Sequence, residues 1–194
     1  MSTPLFRRFA LLVAAAGLGL LTGCAQMRLG APVPGIDNIQ KARSSGIAPV
    51  ALGHFGLAAG RPAGMDQSVT ARTNTIFSPY DSSFAGYLKE NLATDLRAAG
   101  LLEPASPIVI EGQLTDSQLD AAVGFGQGSV AARFAVIRAG AKVYEREFRA
   151  SSRWESPFVG AIAVPAAVNE YSLLYRKLVE LLLDDPAFRS AAKK

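Results

Sequence analysis

Side chains that could carry out nucleophilic or metal chemistry are scarce in this 194-residue chain, which contains one cysteine, Cys24, and one histidine, His54. A general base needs a nucleophile and an orienting group within hydrogen-bond reach, and no spacing in the sequence supplies them for His54. One imidazole and one thiol also leave too few ligands for a nitrogen and sulfur metal site. We therefore predict a structural strand histidine, no cofactor and no metal, in a protein that is not an enzyme.

The glycine-rich sequence GFGQG at residues 124–128 could instead bind phosphate, because the backbone amides of such loops cradle anions. A phosphate-binding loop leads into a helix whose N-terminus faces the anion, and its commonest motif includes a lysine. This segment leads into the strand-like residues 129–138 and lacks that lysine. It therefore predicts a hairpin loop.

Paired carboxylates occur twice, at Glu145 with Glu147 and at Asp184 with Asp185. Residues two apart on a strand share a face, so Glu145 and Glu147 project together beside Arg149. A solvated, ion-paired sheet face explains this arrangement, and such exposed pairs contribute little energy. We expect neither pair to form an acid/base or metal site.

The N-terminal residues have the layout of a secretory signal. Arg7 and Arg8 precede an uncharged apolar run at residues 9–21, and small residues follow it. The run is too short to cross a bilayer as a helix, which needs about 20 apolar residues. It ends in the sequence LTGC at residues 21–24, which contains the only cysteine.

The LTGC sequence resembles the lipobox of bacterial lipoproteins. The resemblance implies that residues 1–23 are a signal peptide, and that Cys24 receives a diacylglycerol and becomes the first mature residue with an acylated amine. Two or more acyl chains anchor a protein stably, whereas one binds reversibly. Ala25 stands where the inner-membrane retention signal of enteric lipoproteins has Asp, which implies a periplasm-facing outer-membrane protein. The alternative is an ordinary cleaved signal followed by an incidental free thiol.

The charge balance gives little support for an electrostatic partner. The formal net charge of +4 comes from 20 basic and 16 acidic residues, and loss of Arg7 and Arg8 with the signal leaves 18 − 16 = +2. No cluster of Lys and Arg stands out, so we expect no nucleic-acid partner. The remaining 194 − 23 = 171 residues suffice for one domain with its own hydrophobic core.

The mature chain divides into a tether and a domain. Residues 24–47 are expected to form the lipidated N-terminus and a flexible tether, because residues 25–35 are rich in Pro and Gly. Residues 36–45 are compatible with a short helix. Residues 48–194 are expected to form a single periplasmic domain.

Periodicity within that domain predicts strands followed by helices. Apolar and polar residues alternate as in strands at residues 49–57, 68–77, 107–119, 129–138 and 141–154. Helical periodicity covers residues 84–99 and a segment from 165 or 166 to 183. Short connections and half-polar strands predict an α+β fold, an antiparallel sheet of about four to five strands with two helices packed on one face.

This order of elements over residues 48–192 resembles small outer-membrane lipoproteins, namely the YajG-type lipoproteins and the auxiliary lipoproteins of ABC-type lipid transport systems. The resemblance implies a non-enzymatic envelope protein that is an accessory in envelope maintenance or lipid transport, and it supplies no binding residue. The alternative is a lipid-anchored periplasmic hydrolase or small-ligand-binding protein. Absence of nucleophile and base spacing argues against the hydrolase.

A contact surface for an envelope protein or a lipid is also predicted. The apolar residues from Trp154 through Phe158 to Val164 have no clear period, so they form either core or an exposed contact. Leu173 lies outside the apolar arc of the C-terminal helix. If the two are neighbours, Trp154, Phe158 and Leu173 could form one patch large enough for a partner.

Overall fold

The computed structural model describes residues 26–193, and the predicted signal peptide and Cys24 lie outside this range. Seven strands occur in it: β1 (Gln26–Arg28), β2 (Ala51–Leu57), β3 (Ser68–Ala71), β4 (Asn74–Phe77), β5 (Ile108–Asp120), β6 (Gly124–Arg138) and β7 (Ala141–Ser156). Five helices occur in it: α1 (Ile36–Ser44), α2 (Gly64–Gln67), α3 (Phe84–Ala99), α4 (Gly160–Asp184) and α5 (Pro186–Ala191). This composition is α+β.

The larger sheet has the strand order β2-β5-β6-β7. Strands β5, β6 and β7 form the predicted antiparallel meander, whereas β2 runs parallel to β5. The prediction of a wholly antiparallel sheet is therefore wrong at β2. A hairpin cannot join parallel neighbours, and the chain between β2 and β5 crosses over through α3.

A second sheet has the order β1-β4-β3 and was not predicted. Residues 68–77, expected to form one strand, fold back on themselves as the antiparallel hairpin β3–β4. Arg72 adopts a positive φ of 55° in its tight turn, a conformation that the alternation of side chains does not indicate. Strand β1 joins this hairpin in parallel, with Gln26 opposite Thr75.

The two long helices pack against strands of the larger sheet. Helix α3 has the expected bounds, because the Ser83 hydroxyl accepts from the Gly86 amide at its start and Gly100 ends it with a left-handed φ of 77°. The helices meet through edge-to-face aromatic contacts, with Phe84 and Tyr171 centroids 5.4 Å apart. A single apolar core lies between helices and sheet.

Helix α4 begins earlier than predicted, at Gly160, so the apolar residues after Phe158 form its first turns. Pro165 is accommodated inside the helix near its start and is exposed to solvent. The helix ends at Asp184 as expected, and the side chain of Asp185 then caps the short helix α5 by accepting from the Ala187 amide.

Residues 26–44 are not the tether predicted for 24–47. After β1, Leu29 enters the core, and α1 packs beside α3 and α4. The carboxylate of Asp95, only 3% exposed, accepts from the Gly35 amide and the Asn38 side chain at 2.8 Å each. Proline and glycine content indicated mobility, but these partners are distant in sequence and hold the segment against the domain.

The predicted glycine-rich loop at 124–128 is also wrong, because these residues open strand β6. The connection from β5 is confined to residues 121–123, and Gly124 alone in the segment has a positive φ, of 95°. Gly126 pairs with Trp154 and Gly128 with Ser152. The absence of side chains at these glycines makes room for neighbours, as described below.

Candidate functional site

Cys24, the lipidation residue predicted from the sequence, is two positions before Gln26, the first residue described. Gln26 stands opposite Thr75, so the chain enters β1 from the side of the Arg72 turn that precedes β4. Gln26, where the described chain begins, therefore lies at the end of the molecule that carries Arg72.

Five large apolar side chains are more than half exposed at one end of the larger sheet, and we call this group the apolar tip: Val123, Phe125, Phe158, Val159 and Ile162. Phe158 is the most exposed of them, at 82%. Four other large apolar residues within residues 26–193 are exposed, namely Val33, Ile36, Val143 and Leu173, and two of them, Val33 and Leu173, border one shallow hollow. Isolated exposed apolar residues are ordinary, whereas a cluster marks an interaction site.

The pairing of β6 with β7 brings the segments that carry the tip residues next to one another. Gly124 pairs with Ser156 and Phe125 with Glu155, which places the β5–β6 turn beside the end of β7. Phe158 and Val159 follow within three residues of Ser156. The amide of Ile162 donates to the carbonyl of Val159 in the first turn of α4, so both loops and the helix start contribute to one surface.

Arg72 connects the β5–β6 turn and the β7–α4 connection through hydrogen bonds. Its guanidinium donates to the carbonyls of both tip loops and to a hydroxyl: Ala121 O at 3.0 Å, Phe158 O at 2.7 Å, Pro157 O, and Ser156 Oγ at 3.4 Å. Because one rigid, planar group bridges the β5–β6 turn and the β7–α4 connection, the tip has a fixed backbone. The same residue lies in the turn beside which β1 begins.

The charged groups at the tip nearly balance. The guanidinium of Arg153 lies over the Phe125 ring, 4.3 Å from its centroid, in a cation–π contact. Glu155 is exposed and pairs directly opposite Phe125. Arg72 at the base of the tip and Asp120, which accepts from the Ala122 amide, add a second pair, so two positive and two negative side chains surround the apolar surface.

Trp154 is half-buried and packs against the core instead of joining the exposed tip. A Cβ at Gly126 would overlap its indole ring, so the glycine provides the space that this ring fills. The indole nitrogen is buried without a hydrogen-bond partner among the described residues. Of the predicted contact residues, Trp154 is thus a supporting residue and Phe158 an exposed one.

Leu173 is exposed, at 39%, as its position outside the apolar arc indicated. It does not lie beside the tip, because Ile162 and Leu173 are separated by about 16 Å along α4 at the usual helical rise. Leu173 instead borders a shallow hollow with Met27 and Val33. The structure therefore does not bring Leu173 and Phe158 into the single patch predicted from the sequence.

The other chemical candidates lie apart from one another. His54 is exposed on β2 at the edge of the larger sheet, with its ring over Gly56. Glu145 pairs with Lys142 at 2.6 Å and Glu147 with Arg133 at 3.3 Å, which confirms the ion-paired outer face. The Lys142 ammonium holds the pKa of the Glu145 carboxyl below its usual value.

A polar cluster on the outer face of the larger sheet centres on Asp116, a buried carboxylate. It accepts from Arg149, from Ser129 at 2.9 Å and from Gln118 at 2.9 Å. Burial alone would raise the pKa of Asp116, but these hydrogen bonds outweigh it and hold the pKa below its usual value. The group is fully satisfied and therefore resembles a structural network more than a poised acid or base.

Two further buried polar sites are paired, although the Thr115 hydroxyl, like the indole nitrogen of Trp154, has no partner among the described residues. Tyr171 Oη lies 2.6 Å from Ser117 Oγ and 2.8 Å from Tyr175 Oη inside the core, and burial raises the pKa of both tyrosines. Asp185 accepts from Tyr144 Oη at 2.6 Å. Across residues 26–193 there is no group of three or more His, Cys, Asp or Glu side chains placed to hold a metal.

No helix within the described part of the chain is long and apolar enough to cross a membrane.

No family model matches the sequence, and no curated protein is significantly similar to it. The fold is nevertheless similar to that of a Xanthomonas campestris protein of the family DUF330, with a TM-score of 0.60 over 86% of this chain and 96% of that one, at 8% identity. That similarity shows a shared fold.

Two further structures resemble the chain less closely. A candidate lipoprotein from Caulobacter crescentus aligns over 80% of this chain and 97% of its own, with a TM-score of 0.46 and 16% identity. A minor lipoprotein from Acinetobacter baumannii aligns over 71% and 89% respectively, with a TM-score of 0.46 and 12% identity.

Sequence reasoning identified Phe158 but missed Val123, Phe125 and Arg72. The first two lie in and beside the segment read as a polar hairpin loop, where a single apolar residue attracts no notice. Arg72 lies in the middle of a segment read as one strand. The positive φ of Arg72 marks the turn between β3 and β4 in the structure, but no residue type at this position marks it in the sequence.

Proposed function

We propose that this protein is a lipid-anchored lipoprotein of the cell envelope, held in the outer membrane through Cys24 and facing the periplasm. It acts without catalysis, as an accessory in envelope maintenance or lipid transport. The observation that carries this proposal is the LTGC sequence at residues 21–24, which ends two residues before the first strand of the folded domain. An anchor in this position attaches the domain itself to a membrane.

The side chains within residues 26–193 support a non-catalytic role. His54 is exposed on an edge strand, the carboxylates of Glu145 and Glu147 are ion-paired, and Asp116 is enclosed by donors. An active site needs a base, a nucleophile and an orienting group brought together in a cleft. Here the candidate groups are dispersed, and the surface feature that stands out is apolar.

The anchor is tested by mass and location. Protein extracted from membranes should lack residues 1–23 and carry the added mass of three acyl chains, and density-gradient fractionation should place it with outer-membrane markers. Cys24→Ser should leave the protein without acyl mass, because only the thiol can accept the diacylglycerol. A Cys24→Ser protein bound to membranes as firmly as the unaltered protein would contradict the proposal.

The non-catalytic role has its own control. His54→Ala, the variant that removes the only imidazole, should retain the envelope phenotype of the unaltered gene when it is folded and lipidated. A folded, lipidated His54→Ala protein that behaves as a deletion would support the hydrolase alternative instead.

A further inference from the structure

The first described residue, Gln26, and the apolar tip lie at the same end of the molecule. Strand β1 runs parallel to β4, so its first residue, Gln26, is next to the start of β4 and the Arg72 turn. The guanidinium of Arg72 holds the backbone at Pro157 and Phe158. The chain therefore leaves the described domain, toward Cys24, close to the base of the tip.

We propose that the apolar tip inserts into the same bilayer that holds the acylated Cys24. This inference rests on the proposed lipidation of Cys24. With a connection that spans at most about 7 Å, the domain surface around Gln26 cannot move away from the headgroups. The surface that faces the bilayer is then the one that carries Val123, Phe125, Phe158, Val159 and Ile162.

The chemistry of the tip suits the boundary between headgroups and acyl chains. Removal of exposed apolar area from water is favourable, and interfacial apolar faces sink about 5–10 Å into this boundary. Phe158 lies in the loop before α4 and Ile162 in its first turn, and the amides at this helix start, which have no side-chain cap, stay at headgroup level where water can pair with them. Arg72 has already satisfied the loop carbonyls that would otherwise resist this environment.

The flanking charges indicate which lipid property matters. The positive charges of Arg153 and Arg72 are offset by the negative charges of Glu155 and Asp120. Attachment of the tip should therefore depend on apolar contact and vary little with the content of anionic lipid or with salt. A polybasic surface would show the opposite dependence.

The test measures contact between a tryptophan at the tip and the lipid acyl chains. Full-length protein, processed and lipidated in cells, is purified and placed in vesicles of phosphatidylethanolamine and phosphatidylglycerol, with or without bromine on the acyl chains. The single native tryptophan is replaced by Trp154→Phe, which keeps an aromatic ring over Gly126. Phe158→Trp then supplies the sole tryptophan, at the tip, and it is excited selectively over the five tyrosines.

A matched control carries Trp154→Phe with Val143→Trp. Val143 is also exposed and apolar, but it lies beside the β6–β7 turn, about 40 Å along β7 from Ser156. Acyl mass and co-flotation with vesicles are measured for both proteins first. Brominated lipid should remove most of the emission of tryptophan at 158 and leave the emission of tryptophan at 143 nearly unchanged.

Three other results of this experiment would contradict the tip proposal. Acylated, vesicle-bound protein whose tryptophan at 158 is not quenched would overturn the tip proposal and leave the anchor intact. Emission at 158 that responds to protein concentration instead of brominated lipid would assign the tip to a second copy and also overturn it. Protein without acyl mass would refute the anchor, and the tip proposal with it.

Discussion

At the scale of single residues, glycine serves this protein as space for an aromatic ring on the neighbouring strand. Gly126 pairs with Trp154, and Gly112 pairs with Phe55, and in both places a Cβ would overlap the ring. Aromatic cover of a strand glycine compensates for its missing side chain. The ring of Trp154 thereby fixes the part of β6 that leads to Phe125.

We predict that Gly126→Ala destabilises the domain by about 1–3 kcal/mol, because the new methyl group must displace a rigid indole from a packed position. Urea unfolding followed by circular dichroism measures the loss. Gly64→Ala is the matched control, since a Cβ there meets nothing within 4 Å, and it should change stability by under about 0.5 kcal/mol. Equal stability of the two variants would show that the indole moves aside freely.

This pairing explains one limit of the sequence prediction. A glycine every second residue reads locally as a loop, since glycine weakens strands and favours turns. The strand forms because distant side chains occupy the vacant space, with the Trp154 ring at Gly126 and the Leu174 side chain at Gly128. Phe158 was identified because its apolar surroundings show no helical or strand period, but its exposure could be learned only from the fold.

At the scale of elements, the N-terminal segment is held by long-range polar contacts. Asp95 on α3 accepts from the Gly35 amide and from Asn38 on α1, and Asn38 also donates to the carbonyl of Arg176 on α4. Lys41 pairs with Glu180 at 3.0 Å at the other end of α1. One short helix is thereby tied to both long helices.

We predict that Asp95→Ala costs about 1–3 kcal/mol, because it leaves the Gly35 amide and the Asn38 amide group buried with fewer partners. The loss should be local, and hydrogen exchange of α1 amides should accelerate more than that of α3. Gln40→Ala, on the exposed face of α1, is the control and should shift stability by under about 0.5 kcal/mol. Unchanged exchange in α1 would mean that apolar packing at Leu29 and Ala42 alone holds the segment.

Elements were predictable where their determinants are local. Helix α3 has the predicted bounds because its cap residues, Ser83 and Gly100, adjoin it in sequence. The docking of residues 26–44 was not predictable, since the carboxylate that fixes it is 57 residues from Asn38. The same reason applies to the parallel pairing of β2 with β5, because alternation of side chains carries no information on strand direction.

At the scale of the whole molecule, the α+β class follows from the sequence pattern, but the relation between anchor and tip does not. That relation depends on the second sheet, in which β1 runs parallel to β4. A flexible tether would let the domain leave the bilayer, whereas a two-residue connection holds one defined end against it. The short connection and the apolar tip then both favour the same orientation of the domain on the bilayer.

The two contributions can be separated by lengthening the connection. A Gly/Ser linker of about 20 residues inserted between Ala25 and Gln26 has a root-mean-square length of about 25 Å, enough for the domain to leave the headgroups. In the lipidated Trp154→Phe, Phe158→Trp protein, we expect tryptophan at 158 to stay quenched by brominated lipid despite the linker. The apolar tip should hold itself in the bilayer, because leaving would return its exposed side chains to water.

Charging the tip completes the comparison. Val159→Glu with Ile162→Glu should abolish quenching in the long-linker protein, since a carboxylate is costly to place among acyl chains. In the protein with the natural connection, the same substitutions should only weaken quenching, because the anchor still presses this end against the membrane. Val143→Glu adds a charge at the distant β6–β7 end and should leave quenching unchanged in both the long-linker protein and the protein with the natural connection. Quenching in the long-linker protein that survives the charged tip would show that another surface holds the domain to the bilayer.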